Sequence, residues 1–94
     1  MERKFFVMVY DIPNDKRRAR LAKLLESLGE RVQYSVFELY LTQAELEKLV
    51  KRMQKFMDKK EDAVRIYSLC ETCRGKVACL GQGHNTAEPG LVII

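Results

Sequence analysis

An unbroken apolar, β-prone run, Phe5-Phe6-Val7-Met8-Val9-Tyr10, opens the chain and stops at a carboxylate, Asp11. Such a run predicts a strand over residues 4–10, covered on both faces or on one face and at an interface. Pro13 cannot sit inside a helix, so it closes this element. Asn14 or Asp15 is a suitable N-cap for the helix that follows, whose apolar stripe is Leu21, Leu24, Leu25 and Leu28 before a stop at Gly29. Lys16, Arg20 and Lys23 fall on the opposite, solvated face. Arg18 lies on the stripe's own side, in the first turn, so its head is expected at the rim where Asp11 emerges.

From Arg31 to Leu41 both parities carry apolar side chains, and every residue is compatible with a strand. A bend near Tyr34 or Ser35 would split this stretch into two short strands. Thr42 and Glu45 then form a capping-box pattern, and Leu46, Leu49, Val50, Met53 and Met57 give a second amphipathic helix, on whose apolar side Phe56 also packs. Ala63 to Leu69 is a further strand. The order strand, helix, two strands, helix, strand predicts an α+β, ferredoxin-like βαββαβ domain with both helices on one sheet face. Residues 1–94 are expected to be one such domain, with 76–94 as a C-terminal tail. Within it Val77-Ala78-Cys79-Leu80 is a short strand-like run, and the terminal Leu91-Val92-Ile93-Ile94 is expected to add an edge strand to this protomer or its partner.

Ninety-four residues are enough for one core, yet few enough that burying surface against a partner adds appreciably to stability. An oligomer is therefore expected. The net charge of +4 is a mild basic bias, but its distribution is uneven. Lys16, Arg17, Arg18, Arg20 and Lys23 are clustered without an acid between them, whereas Glu45, Glu47, Asp58, Glu61 and Asp62 intersperse the later helix and its exit. No segment approaches the length of a membrane span, and the first apolar run is too short for a signal peptide, which leads us to expect a cytoplasmic protein. Three cysteines, an odd number, argue for reduced thiols.

A carboxylate at the end of an apolar strand, facing a cluster of cations, suits metal and phosphate chemistry. Asp oxygens hold a hard divalent cation, while Arg and Lys hold the phosphate oxygens around it. The plain alternative is a turn residue that opens the Asp11-Ile12-Pro13-Asn14 loop. Likewise Lys16, Arg20 and Lys23 could serve only to solvate a helix face.

Tyr10-Asp11-Ile12, then Lys16-Arg17-Arg18 with Leu21, and above all Gly29-Glu30-Arg31-Val32-Gln33-Tyr34-Ser35-Val36-Phe37-Glu38 resemble the small endonuclease-like subunit of CRISPR adaptation. The resemblance extends over nearly the whole chain, through Lys76-Val77 and Leu80-Gly81 to the apolar terminus. It implies a ferredoxin-like homodimer that bridges two dimers of the CRISPR integrase, with double-stranded prespacer DNA held along it through phosphates. It further implies that Asp11 is a Mg²⁺ ligand and the catalytic residue, the two Asp11 side chains of a homodimer facing each other near the two-fold axis. Tyr10, Arg18, Arg20, Arg31 and Phe37 match positions around that site, and Ser35 lies beside them. Lys16, Arg17, Arg18 and Arg20 are the foremost candidates for nucleic-acid binding, together with Arg31. The implied activity is metal-dependent phosphodiester hydrolysis, of single-stranded RNA or double-stranded DNA. The family also includes members that serve spacer acquisition without cleavage.

Two other functions fit the same chain. One is a free-standing or toxin-like metal-dependent ribonuclease. The other is a non-catalytic RNA-recognition module, disfavoured because the central strands lack the Lys/Arg-Gly-aromatic pattern. Cys70, Cys73, Cys79 and His84 offer a zinc-like ligand set, but Cys79 belongs to an apolar run where a small buried thiol packs well. Disulfide exchange at Cys70 and Cys73 is not expected either, since the pair follows a strand end and opens no helix that would depress a thiol pKa.

Overall fold

The computed structural model describes residues 2–81. They form β1 (Lys4–Asp11), α1 (Asp15–Glu26), β2 (Gly29–Gln33), β3 (Val36–Leu41), α2 (Gln43–Gln54), β4 (Ala63–Leu69) and a single-turn α3 (Glu71–Arg74). The strands make one antiparallel sheet in the order β2-β3-β1-β4, which is the ferredoxin-like arrangement. The strand expected at Leu91–Ile94, and His84, lie outside the described residues.

The register divides the sheet cleanly. Phe6 is opposite Leu39, Met8 opposite Phe37 and Ile66, and Tyr10 opposite Val64, so these side chains share one face. That face packs against Leu21, Ala22 and Leu25 of α1 and Leu49 and Met53 of α2, forming the core. Met8, Leu21, Leu25, Phe37, Leu39 and Leu49 are completely buried, each stabilising the fold by about 1.5–3 kcal/mol relative to an exposed side chain. The other face carries Phe5, Val7 and Val9 of β1, Val36, Glu38 and Tyr40 of β3, and Arg65, Tyr67 and Leu69 of β4. Phe5 and Tyr40 are buried there, their rings 5.1 Å apart, while Val7, Val9 and Val36 are half-buried and Tyr67 is exposed.

Asn14 is the N-cap of α1, its Oδ1 accepting the Arg17 amide at 2.9 Å, and Thr42 and Glu45 form the reciprocal capping box of α2. The first helix is shorter than its apolar pattern suggests. It ends at Glu26 with Ser27 as C-cap, so Leu28 lies outside it and is partly exposed. Gly29 is not its stop but the first residue of β2. A Cβ there would come within 2.5 Å of the Glu38 carbonyl oxygen and 2.8 Å of Leu39 Cγ, so the close approach of β2 to β3 requires glycine. The bend between the two strands falls at Tyr34 and Ser35, as expected, and the Tyr10 amide donates to the Ser35 carbonyl at 3.1 Å.

Near the C-terminal end of the chain the sequence expectations need correction. Cys70 is the N-cap of α3, and its Sγ accepts the Cys73 amide at 3.5 Å. The pair therefore does open a helical turn, and that amide lowers the Cys70 thiol pKa while raised acidity is denied to Cys73, whose own thiol is pushed up by its bond to Cys70. Val77 to Leu80 form no strand, and Cys79 is exposed instead of packed. A short apolar run becomes a strand only where another strand pairs with it, and none pairs with this one among the described residues. Among the described residues no helix is long and apolar enough to cross a membrane.

Arg17 ties the start of α1 to the loop before β4. Its Nε donates to Asp62 Oδ2 at 2.9 Å and its Nη2 to Glu61 Oε2 at 2.9 Å and Asp62 Oδ1 at 3.2 Å. The Asp62 side chain has no exposed surface and also accepts the Asp58 amide at 2.9 Å. Hydrogen bonds from Arg17 first, and the Asp58 amide next, hold the Asp62 carboxyl below the usual carboxylate range. A carboxyl depressed by folding stabilises the native state above its ordinary value near about 4, and that stabilisation is lost as pH falls through the lowered value. Arg17→Gln is accordingly expected to lower the thermal midpoint by several degrees at neutral pH and to flatten its fall below about pH 4. Thermal unfolding followed by circular dichroism between neutral and acid pH checks this, and an acid profile unchanged by the substitution would show that the pair adds nothing to stability.

Candidate functional site

Asp11 is the last residue of β1, paired with Ala63 at the start of β4, and it is exposed. Alternation along β1 places it with Val7 and Val9 on the sheet face away from the helices. No hydrogen bond or ion pair to its carboxylate occurs among the described residues, so both oxygens remain available to an external cation.

Its sequence neighbour Tyr10 points the opposite way, into the core, and stacks on Phe37 with centroids 6.2 Å apart. The Arg31 guanidinium lies 5.3 Å from the Phe37 centroid, since Arg31 and Phe37 are register partners on β2 and β3. Burial raises the Tyr10 phenol above its ordinary value against the opposing pull of Arg31. Tyr10, Arg18, Arg31 and Tyr34 line a cleft of about 210 Å³ beside the start of α1. The set expected from sequence is thus divided by the sheet: Asp11 on one side, and Tyr10, Arg18, Arg31 and Phe37 on the other. Ser35 lies next to Tyr10 at the strand end.

Arg18 reaches the rim as expected. Its Nη1 donates to the carbonyl oxygens of Ile12 at 3.0 Å and Pro13 at 3.3 Å, directly after Asp11, and its Nη2 pairs with Asp15. These bonds fix the loop that carries the chain away from Asp11. Arg31 pairs with Glu26 at 3.0 Å, and Arg17 with Asp62 and Glu61. Of the five cations assigned to nucleic acid, these three already have carboxylate partners, whereas Lys16 and Arg20 have none among the described residues. No local pattern marks the Asp62 partnership, because it lies 45 positions from Arg17. The Asp15 pairing, at a spacing of three on one helix, was legible.

A single carboxylate is compatible with Mg²⁺, which keeps several of its waters and binds through one or two carboxylates. No group of three His, Cys, Asp or Glu side chains that could hold a metal occurs among the described residues. Residues 4–77 match the family model described as CRISPR associated protein Cas2. The chain belongs to the Cas2 family. It is 43% identical over 89 residues to a CRISPR-associated endoribonuclease Cas2 of Synechocystis, covering 95% of this chain and 97% of that one. The crystal structure of a hypothetical protein from Thermus thermophilus superposes with a TM-score of 0.80 at 45% identity, covering 90% of this chain and 99% of that one. A Cas2-containing structure described as a partial Cas6-RT-Cas1–Cas2 complex matches with a TM-score of 0.68 at 30% identity, covering 90% and 98% of the two chains. The likeness to these structures agrees with the ferredoxin-like topology.

Proposed function

We propose that this protein is a homodimeric, Mg²⁺-binding subunit of CRISPR adaptation that holds double-stranded prespacer DNA together with the integrase and hydrolyses phosphodiester bonds at Asp11. The observation that carries this reading is the unpartnered Asp11 carboxylate on the sheet face turned away from the helices of a Cas2-family chain. Val7, Val9, Val36 and Tyr67 on that face leave apolar surface to be covered. A second copy of the chain would cover it and bring a second Asp11 to the same side, which supplies the two carboxylates that one chain lacks. Mg²⁺ held there would lower the pKa of a bound water and stabilise charge on phosphorus in the transition state. Arg18 keeps the Ile12-Pro13 loop in place beside the carboxylate, and Lys16 offers unpaired charge to the phosphates. The integrase partnership is supported by the likeness to Cas2 in a complex with Cas1. The curated relative's name, endoribonuclease, supports hydrolysis of RNA, with double-stranded DNA as the alternative substrate.

A second reading is favoured by the sparseness of the ligand set: a dimer that bridges the integrase and binds duplex DNA without cutting it. Light scattering, binding of labelled duplex DNA, and cleavage of labelled single-stranded RNA and duplex DNA with Mg²⁺ or chelator separate the two. A dimer that cleaves only with Mg²⁺ supports the first. A dimer that binds duplex in a salt-sensitive way and cleaves neither substrate supports the second, and a monomer that binds no nucleic acid would sink both.

A further inference from the structure

Between α1 and α2, on the helix side of the sheet, runs an open groove of about 540 Å³ whose charged lining is entirely cationic: Arg20 and Lys23 from α1, Arg52 and Lys55 from the end of α2. Each pair is spaced three apart, so each helix turns two cations toward the groove. No carboxylate lines it, and none of the four is ion-paired among the described residues, in contrast to Arg17, Arg18 and Arg31. Four like charges gathered without counter-charge repel one another, and a polyanion relieves that repulsion while releasing its own counterions. Arg20 is also held in place. Its guanidinium lies 4.6 Å from the Phe56 centroid, which fixes the plane of the fork and leaves its N–H edges free to donate.

We propose that the groove between α1 and α2 is a second nucleic-acid surface, separate from the Asp11 rim, that holds the phosphate backbone of a duplex. The lining offers little to a base. Its apolar residues are Leu24 and Phe56, and Arg20 already occupies a face of the Phe56 ring, so stacking of a splayed base is disfavoured. Charge directed at phosphate oxygens is what remains, and that form of binding is independent of sequence. The groove lies across the sheet from Val7, Val9 and Tyr67, so two copies joined through that apolar face would both present their grooves outward. A dimer would then hold duplex on its outer helical surfaces as well as at its Asp11 edge. Arg20, a nucleic-acid candidate from sequence alongside Lys16, Arg17 and Arg18, lines this groove with Arg52 and Lys55.

The test is binding of a labelled duplex to the full chain over a range of salt concentrations, comparing wild type with Arg52→Gln/Lys55→Gln. Each lost phosphate contact lowers the slope of log affinity against log salt by about one, so the double variant is expected to lower it by about two and to weaken binding about tenfold at moderate salt. Lys23→Gln/Lys55→Gln, which removes one cation from each helix, is expected to behave alike. All three positions are exposed, so neither variant is expected to disturb the fold, and Mg²⁺-dependent cleavage of a short single-stranded RNA is expected to be unchanged in both. An unaltered salt slope in both variants would overturn the proposal. So would loss of tripolyphosphate binding with duplex binding intact, which would assign the groove to a small polyphosphate.

Discussion

Asp11→Asn is expected to reduce Mg²⁺-dependent cleavage by about a thousandfold or more, the order lost when one preorganised electrostatic group is removed from a reacting centre. The substitution keeps the side chain's size but removes its charge, and Asp11 is the only acidic residue at the end of β1. Because the residue is exposed and its carboxylate makes no contact among the described residues, the thermal midpoint should stay within a degree or two of wild type. The drop in activity would therefore report on chemistry and not on folding. Loss of a negative charge beside the phosphates is expected to leave duplex binding equal or slightly tighter. Cleavage assays on both substrates, run beside calorimetric Mg²⁺ titration, check all three consequences. Activity retained in Asp11→Asn would place the reacting carboxylate elsewhere.

Phe37→Ala is expected to cost about 3–5 kcal/mol of folding stability, a large share of the total for a domain of this size. Phe37 has no exposed surface. It lies opposite Met8 on the central strand pair, with the Tyr10 ring against one side and the Arg31 guanidinium against another. Truncation leaves a cavity that neighbouring strands cannot close, since the ladder hydrogen bonds fix their spacing. It also frees Tyr10 and Arg31, two of the groups that line the cleft beside α1. Urea unfolding gives the loss directly, and a cost below about 1 kcal/mol would mean that the site end of the sheet repacks readily.

How much of this was legible in the sequence varies by element, for physical reasons. Local signals were dependable. The capping box at Thr42 and Glu45, the cap at Asn14, the bend at Tyr34-Ser35 and the strand at Ala63–Leu69 all depend on residues within a few positions of one another. Arg18 belongs with them, because the Ile12 carbonyl that it reaches is only six positions away. Signals that depended on a distant partner were misleading. Gly29 has the identity of a helix stop, but its role is set by Glu38 and Leu39 across the β2–β3 pair. Val77 to Leu80 have the composition of a strand but pair with no strand among the described residues.

The amino-acid pattern by itself determined the order of elements, the ferredoxin-like topology and the position of Asp11 at a strand end, since hydrophobic periodicity and capping chemistry are local properties. Only the tertiary structure decided which cations are free. Arg17 is neutralised by Asp62 and Glu61 from the far side of the chain, while Arg20, Lys23, Arg52 and Lys55 meet in one groove without a carboxylate. Charge acts through space and not along the chain, so the same arginine can be a structural tether or a phosphate contact according to what folding brings beside it.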